Sequence, residues 1–296
     1  MEILTVFTPT YNRADLLYRC YESLKAQTCK DFIWLIIDDG STDNTRETVS
    51  SWIESEKDFK IDYKYKENGG LYTAYNTAIS FLKTELAVCI DSDDFMPEDG
   101  VKFITDFWRQ YGSDRYAGIV GLDYTLQGEV IGDPLPDIKS INLIDVAIGK
   151  YNIRHGDRKL VVRSELYKEV APMPVFKGEK HFNPNYMHME ISFNYDFLVA
   201  NHNLCYVDYQ PDGMSSNIFK QYYSSPNSFA ELRKQHLRFP GISFRYKCKE
   251  YIHYISSCFL AGKDCGLRKR NWILFILLLP FGALLSIYVR IVNHRS

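Results

Sequence analysis

The seven cysteines of this 296-residue sequence (Cys20, Cys29, Cys89, Cys205, Cys248, Cys258 and Cys265) form no CxxC pair and are odd in number. Several lie in apolar runs where a thiol simply packs, so they read as reduced core residues of a cytosolic protein. There is no excess of charge of either sign: 35 Lys and Arg against 37 Asp and Glu leave a net charge of −2. Without a basic domain, nucleic acid is not an expected partner. No glycine occurs in the loop Thr8-Pro9-Thr10-Tyr11-Asn12-Arg13 that follows the first apolar run. That absence removes the GxGxxG of dinucleotide-dependent oxidoreductases and the glycine-rich loop of sugar-nucleotide pyrophosphorylases. A haloacid-type phosphatase would need its acidic pair in that same loop, and the loop has none. The first residues lack a basic stretch, a long apolar region and a small-residue cleavage site, so the expectation is a catalytic part that stays in the cytoplasm. No internal repeat and no low-complexity segment is present.

What is present is alternation. Short apolar runs near Ile3 to Thr8, Phe32 to Asp38, Ile61 to Tyr65, Leu86 to Ile90 and Tyr116 to Leu122 read as strands. Helix-period segments separate them, marked by Leu16, Leu17, Cys20 and Leu24, then Val49, Trp52 and Ile53, then Ala74, Ala78, Ile79 and Leu82, then Val101, Ile104 and Phe107. Strand, helix, strand in this order predicts an α/β fold with a mostly parallel sheet covered by helices. Ligands bind such sheets at the carboxyl ends of the strands. Beyond residue 123 the pattern loosens: a hairpin around Gln127-Gly128-Glu129, a strand near Lys159 to Arg163, a loop from Pro172 to Asn185, a helix near Tyr186 to Ala200 and a strand near Leu204 to Tyr209 are expected. Residues 228 to 263 read as helical, with Tyr251, Ile252, Ile255 and Phe259 on one stripe.

The last segment differs in kind. Trp272 to Val289 holds 18 residues without a charge, between Arg268-Lys269-Arg270 and Arg290, His294 and Arg295. As a helix it would be about 27 Å long, near the lower limit for spanning hydrocarbon, with Trp272 and Tyr288 where interface aromatics belong. Pro280 is expected to kink it, and an in-plane anchor, a re-entrant segment, a span and a buried core helix all fit the composition.

Carboxylates mark the chemistry. The second strand runs into Asp38-Asp39-Gly40-Ser41-Thr42, which reads either as a turn leading to a helix cap by Ser41 or Thr42, or as a recognition loop whose carboxylate accepts from a pyrimidine N–H or a ribose hydroxyl. The fourth strand runs into Asp91-Ser92-Asp93-Asp94. In extended backbone Asp91 and Asp93 share a face, and like charges that close favour a hard divalent cation, Mn2+ or Mg2+; the alternative is a solvated acidic turn that caps a helix from Pro97. Between them, Asn68-Gly69-Gly70 opens a helix with two residues that let backbone approach a ligand closely.

Taken in order, TPTYNRADLL, IIDDGSTDNT, ENGGLYTAYNTA and IDSDD resemble the donor-binding half of family 2 glycosyltransferases with a GT-A fold, well over residues 3 to 125 and more loosely to about 215. The resemblance implies that Thr8, Tyr11 and Arg13 line a nucleotide pocket, that Asp39 contacts the base, and that Asn68 and Gly69 lie beside the nucleoside. Asp91 and Asp93 would form the DxD pair, with Asp93 helping to hold the metal and Asp91 nearer the ribose and sugar. It implies an inverting transfer from a nucleotide-sugar, a UDP-sugar foremost, to a glycan or lipid-linked glycan. A carboxylate must then take the proton of the attacking hydroxyl. Glu179 and Glu190 are the candidates, in that order, although Glu179 also reads as a salt-bridge partner of Lys177 or Lys180. A glutamate is usual in this family where Asn185 stands. His181, His188 and His202 are candidates for a further ligand, but a lone histidine is more often structural. Tyr209-Gln210-Pro211-Asp212-Gly213-Met214-Ser215 resembles a segment that closes the catalytic domain in bacterial relatives handling surface polysaccharides. The implied organisation is a GT-A domain over 1–215, a helical extension over 216–270 and a membrane-associated segment over 271–296, at the cytoplasmic face of a membrane. A membrane-tethered module that binds nucleotide-sugar without turning it over is the competing reading.

Overall fold

The computed structural model describes residues 2–153, 156–210, 218–265 and 272–295, with residue 295 described by its backbone alone. The stretch Pro211 to Ser215 of the domain-closing motif and the basic run Arg268-Lys269-Arg270 lie outside the described residues. The chain divides into two compact units: residues 1–69, 73–172 and 187–210, and residues 70–72, 173–186 and 211–296.

The first unit is built on one eight-stranded sheet. Strands β1 (Leu4–Thr10), β2 (Phe32–Asp38), β3 (Lys60–Tyr65) and β4 (Leu86–Cys89) alternate with helices α1 (Ala14–Lys25), α2 (Thr45–Ser55) and α3 (Leu71–Phe81). Helix α4 (Gly100–Tyr111), β5 (Tyr116–Thr125), β6 (Ser140–Ile141), α5 (Leu143–Ala147), β7 (Arg158–Arg163), α6 (Ser164–Val170), α7 (Asn185–Ser192) and β8 (Asp196–Val207) follow. The order across the sheet is β3-β2-β1-β4-β7-β5-β8-β6. β1 pairs in parallel with both β2 and β4, whereas β7 runs antiparallel between β4 and β5. The chain steps from β1 outward to β2 and β3, then returns to lay β4 on the other side of β1. The carboxyl ends of β1 and β4 therefore flank a topological switch point, where crossovers leave in opposite directions and a crevice opens. Val6, Trp34, Ile36, Leu86, Val88 and Ile119 belong to the core that fixes this sheet.

One expectation fails here for an identifiable reason. The helix expected over Tyr186 to Ala200 ends at Ser192, and residues 196–203 are the first part of β8. Pairing with β5 from Tyr116 to Thr125, interrupted by register shifts, outweighs a local pattern too irregular to show a period of two. The helical stretch expected over 228–263 is present as two helices, because Pro240-Gly241 removes a backbone donor and turns the chain at Gly241, φ +71°.

The second unit contains α8 (Ile218–Ser224), α9 (Pro226–His236), α10 (Phe244–Ala261) and α11 (Trp272–Arg295). Ser243 caps α10 by accepting from Tyr246 N–H at 3.1 Å, and Gly262 ends it in the left-handed region, φ +64°. The stripe on α10 is buried at Tyr251 and Ile255 but not at Phe259, which is exposed. Helical structure continues through Pro280 without a break. α11 is long and apolar enough to cross a membrane, and only 22% of its apolar window is buried, so it is not a core helix.

Candidate active site

The loops that leave β1 and β2 are tied to each other. Asn12 adopts a left-handed conformation, φ +51°, which asparagine tolerates better than most residues. Its N–H donates to Ser41 Oγ at 2.9 Å while its Oδ1 accepts from Thr42 N–H at 2.7 Å. Asp43 serves two helices at once: Oδ2 accepts from Ala14 N–H of α1 at 3.2 Å, and Oδ1 accepts from Thr45 N–H and Oγ1 of α2 at 3.1 and 2.6 Å. The cap that the sequence suggested for Ser41 or Thr42 is thus Asp43. Burial raises its pKa, but these bonds prevail and hold it below the ordinary carboxylate value.

The carboxyl end of β2 gathers three of the residues named from the sequence. Asp39 is buried. Gly69 N–H donates to its Oδ1 at 3.0 Å, and Asn68 Nδ2 donates to its backbone carbonyl at 2.7 Å and to Oδ2 at 3.2 Å. Lys66, which the motif reading passed over, forms an ion pair with Asp39 and donates to Thr73 Oγ1 at 2.8 Å. Gly40 sits at φ +85°, and a Cβ there would lie 2.7 Å from Asn68 N, so only glycine lets the two loops meet. Asp38 faces away into structure: it accepts from Ser41 N–H at 2.7 Å and from the Tyr63 hydroxyl.

At the switch point, Arg13 Nη1 donates to Asp93 Oδ2 at 2.6 Å. Strand β4 stops at Cys89, and Asp91 to Asp94 close a turn through Asp94 N–H to Asp91 C=O at 3.0 Å. The extended geometry expected of Asp91 and Asp93 is therefore corrected to a turn, and their proximity survives the change. Burial raises the Asp93 carboxyl above its ordinary range, Arg13 opposes this, and the charge of Asp91 adds to it. Tyr11 is exposed nearby in sequence, and Thr10 Oγ1 is buried without a hydrogen-bond partner at the end of β1. Thr8 is not brought to this end. Its side chain is fully buried, and its hydroxyl accepts from Trp34 Nε1 at 3.0 Å inside the core.

Asp94 of the acidic motif belongs to an ionic cluster whose other members lie in no motif. Lys159 of β7 is buried with Nζ 3.9 Å from both Asp94 Oδ2 and Asp123 Oδ1. Asp94 also accepts from Asp208 N–H at 3.2 Å. One ammonium cannot neutralise two desolvated carboxylates, and burial pushes Asp94 up to about 7 and Asp123 to about 6 despite Lys159. Only the antiparallel insertion of β7 beside β4 and β5 brings Lys159 there, a long-range pairing no local pattern announces.

Glu179 belongs to the second unit and is buried there. Oε1 accepts from Asn227 N–H and Nδ2 at 2.8 and 2.7 Å, and Oε2 accepts from Ser228 N–H and Oγ, both at 2.7 Å. It closes the N-terminus of α9, where free backbone donors and the helix dipole favour a carboxylate. Its expected partners Lys177 and Lys180 are replaced by these four donors. Glu190 is half-buried on α7 in the first unit. His188 bonds the Tyr167 hydroxyl at 2.7 Å and His202 stacks on Phe103 at 3.8 Å, both structural positions.

No group of three or more His, Cys, Asp or Glu that could hold a metal occurs among the described residues. A divalent cation held beside a diphosphate takes most of its ligands from phosphate and water and would need one or two protein carboxylates; Asp93, with Asp91 beside it, could supply them. Their mutual repulsion favours such a cation, so the pair fits it. A cavity of about 610 Å³ lined by Ile3, Glu85, Trp108 and Arg163 lies at the amino ends of β1 and β4, away from these carboxylates.

Residues 5–126 match the family described as glycosyl transferase family 2. Glycosyltransferase GlyA of Streptococcus pneumoniae is 33% identical over 115 residues, 39% of this chain and 16% of that protein. Curated relatives are matched over only 10% to 38% of their own length. Staphylococcus aureus TarS 1-349 in complex with UDP-GlcNAc superposes with a TM-score of 0.62 at 18% identity, covering 94% of this chain and 80% of that one. The mannosyltransferase PcManGT of Pyrobaculum calidifontis, in complex with GDP-Man and Mn2+, superposes with a TM-score of 0.57 at 18% identity, covering 96% and 87%. The segment from residue 5 to residue 126 is a family 2 glycosyltransferase domain, carried in a GT-A-like fold.

Proposed function

We propose that this chain transfers a sugar from a nucleoside-diphosphate donor, foremost a UDP-sugar, to a hydroxyl of a glycan or lipid-linked glycan, with inversion. The observation that carries the reading is the meeting of Arg13 and Asp93 at the switch point, with Asp39, Asn68 and Gly69 joined at the neighbouring strand end. In this proposal Asp39 and Asn68 hold the base and nucleoside, and Tyr11 covers them. Gly69 lets backbone approach. Asp91 orients ribose and sugar. Asp93 holds Mn2+ or Mg2+, which when bound offsets charge building on the departing diphosphate. Arg13, freed from Asp93, can then face phosphate. Glu190 is retained as the base, because each oxygen of Glu179 already accepts two hydrogen bonds and one of them would have to give up a bond to take a proton. The domain limits 1–215, 216–270 and 271–296 and the cytoplasmic membrane face remain part of the proposal. The apolar α11 supports membrane association.

Purified protein incubated with UDP-, GDP-, CDP- and dTDP-sugars and manganese should release diphosphate from one nucleotide class, and lose this with chelator and in Asp93→Ala. Metal-dependent binding without cleavage, with or without glycan acceptors, would support the binding module instead. The absence of any donor binding would overturn both.

A further inference from the structure

We infer that α11 lies along the surface of an anionic membrane, buried to the depth of its outward side chains, and does not cross the bilayer. The inference rests on the membrane part of the proposed function and is independent of sugar transfer. Every observation behind it lies in the second unit.

α11 has two unlike faces. On one, Phe275, Gly282, Ser286 and Val289 are buried. A Cβ on Gly282 would sit 2.4 Å from Ile255 Cγ2 and 3.1 Å from the Ile252 carbonyl oxygen, so α10 meets the backbone of α11 near its midpoint. On the other face, Ile276, Leu277, Phe281, Leu284, Ile287 and Ile291 are 46% to 63% exposed. Their spacing of three and four residues makes one continuous apolar stripe. Stripes of this size mark an interaction surface. α8 extends it: Phe219 packs edge-on against Tyr288 at 5.6 Å, and Asn293 Nδ2 donates to the Phe219 carbonyl at 3.0 Å.

Charge selects the occupant. Neither α8 nor α11 contains an acidic residue, while Lys220 and Arg290 are exposed beside the stripe. An apolar stripe with a basic border and Trp272 and Tyr288 toward its ends suits acyl chains beneath anionic head groups. Geometry selects the depth. Lys249, exposed, and Glu250, buried against Arg233 at 2.9 Å and His236 at 3.1 Å, lie within one turn of Ile252 on α10. A spanning α11 would carry these groups toward the bilayer midplane, where charge is costly. Lying in the plane, α11 keeps α10 on the aqueous side.

The full chain would be tested by flotation with vesicles of phosphatidylcholine, with and without phosphatidylglycerol. With an epitope at each end, it would also be probed by protease in inside-out membrane vesicles from a bacterial host. Flotation should favour the anionic vesicles by roughly tenfold, and both epitopes should be cut together. Ile276→Glu with Leu284→Glu should weaken flotation by about a hundredfold with unchanged thermal unfolding and unchanged donor cleavage. Protection of the C-terminal epitope alone would establish a crossing and overturn the inference. So would flotation of the double variant equal to the parent's, or a chain that stays off vesicles, alone or as a dimer. Lost donor cleavage with retained flotation would instead strike only the transferase reading.

Discussion

Both carboxylate oxygens of Glu179 are committed to α9, Oε2 accepting from Ser228 N–H and Oγ at 2.7 Å each. A residue so placed stabilises a helix start far from it in sequence, in the way a local N-cap serine or aspartate ordinarily does. Ser225, at the cap position itself, accepts from His181 N–H at 3.1 Å instead. Replacing Glu179 with alanine should cost about 1–3 kcal/mol in unfolding free energy, because backbone donors are left buried and unpaired. Denaturant unfolding measures this. Donor turnover per folded molecule should persist; a stable variant with no turnover would return Glu179 to the role of base.

Arg13 and Asp93 should separate in kinetics. Arg13→Ala removes a cation from the phosphate end and should raise the donor KM by roughly tenfold while leaving folding intact. Asp93→Asn should lower kcat by about a hundredfold or more, with metal dependence weakened, since the carboxylate charge is lost. Equal effects on both parameters in the two variants would show that the pair acts only to hold the loops.

Lys159→Met should destabilise the first unit by about 3–5 kcal/mol, because Asp94 and Asp123 are then buried together without a cation. Adding Asp123→Asn should recover a substantial part of that loss. Thermal unfolding of the two single variants and the double variant closes the cycle. Additive losses would mean that the three groups do not share their charge.

The second unit should be acid-sensitive at Glu250. Burial alone would raise its pKa, but the bonds from His236 and Arg233 outweigh burial and bring it from 4.5 to about 2. A depressed folded pKa contributes stability that is fully present above about 4.5 and is lost as pH falls through about 2. The span corresponds to about 3 kcal/mol. Urea unfolding between those limits should show the loss, and Glu250→Gln should flatten it.

The strand ends that carry the candidate site are legible in the sequence because each of its residues follows closely on a strand with a clear apolar signal. Asp39, Asn68, Gly69, Asp91 and Asp93 follow β2, β3 and β4, and a parallel sheet aligns those ends whatever the rest of the chain does. Thr8 packs into the core and accepts from Trp34 Nε1, and a motif does not say to which side of a strand a residue turns. The surroundings of Glu179 are hidden from the sequence for a related reason. A glutamate in a loop looks available until the helix that it caps is placed beside it.

Local pattern thus determined the strands and helices of the first 125 residues, the place of the acidic cluster after β4, and the uncharged run of α11, since each depends on neighbours within a few residues. Tertiary structure alone decided which helix Glu179 closes, that β7 delivers Lys159 to Asp94 and Asp123, that residues 196–203 are strand, and which face of α11 is covered. These rest on contacts between residues tens of positions apart, whose energies come from pairing and desolvation in three dimensions and leave no period in the sequence.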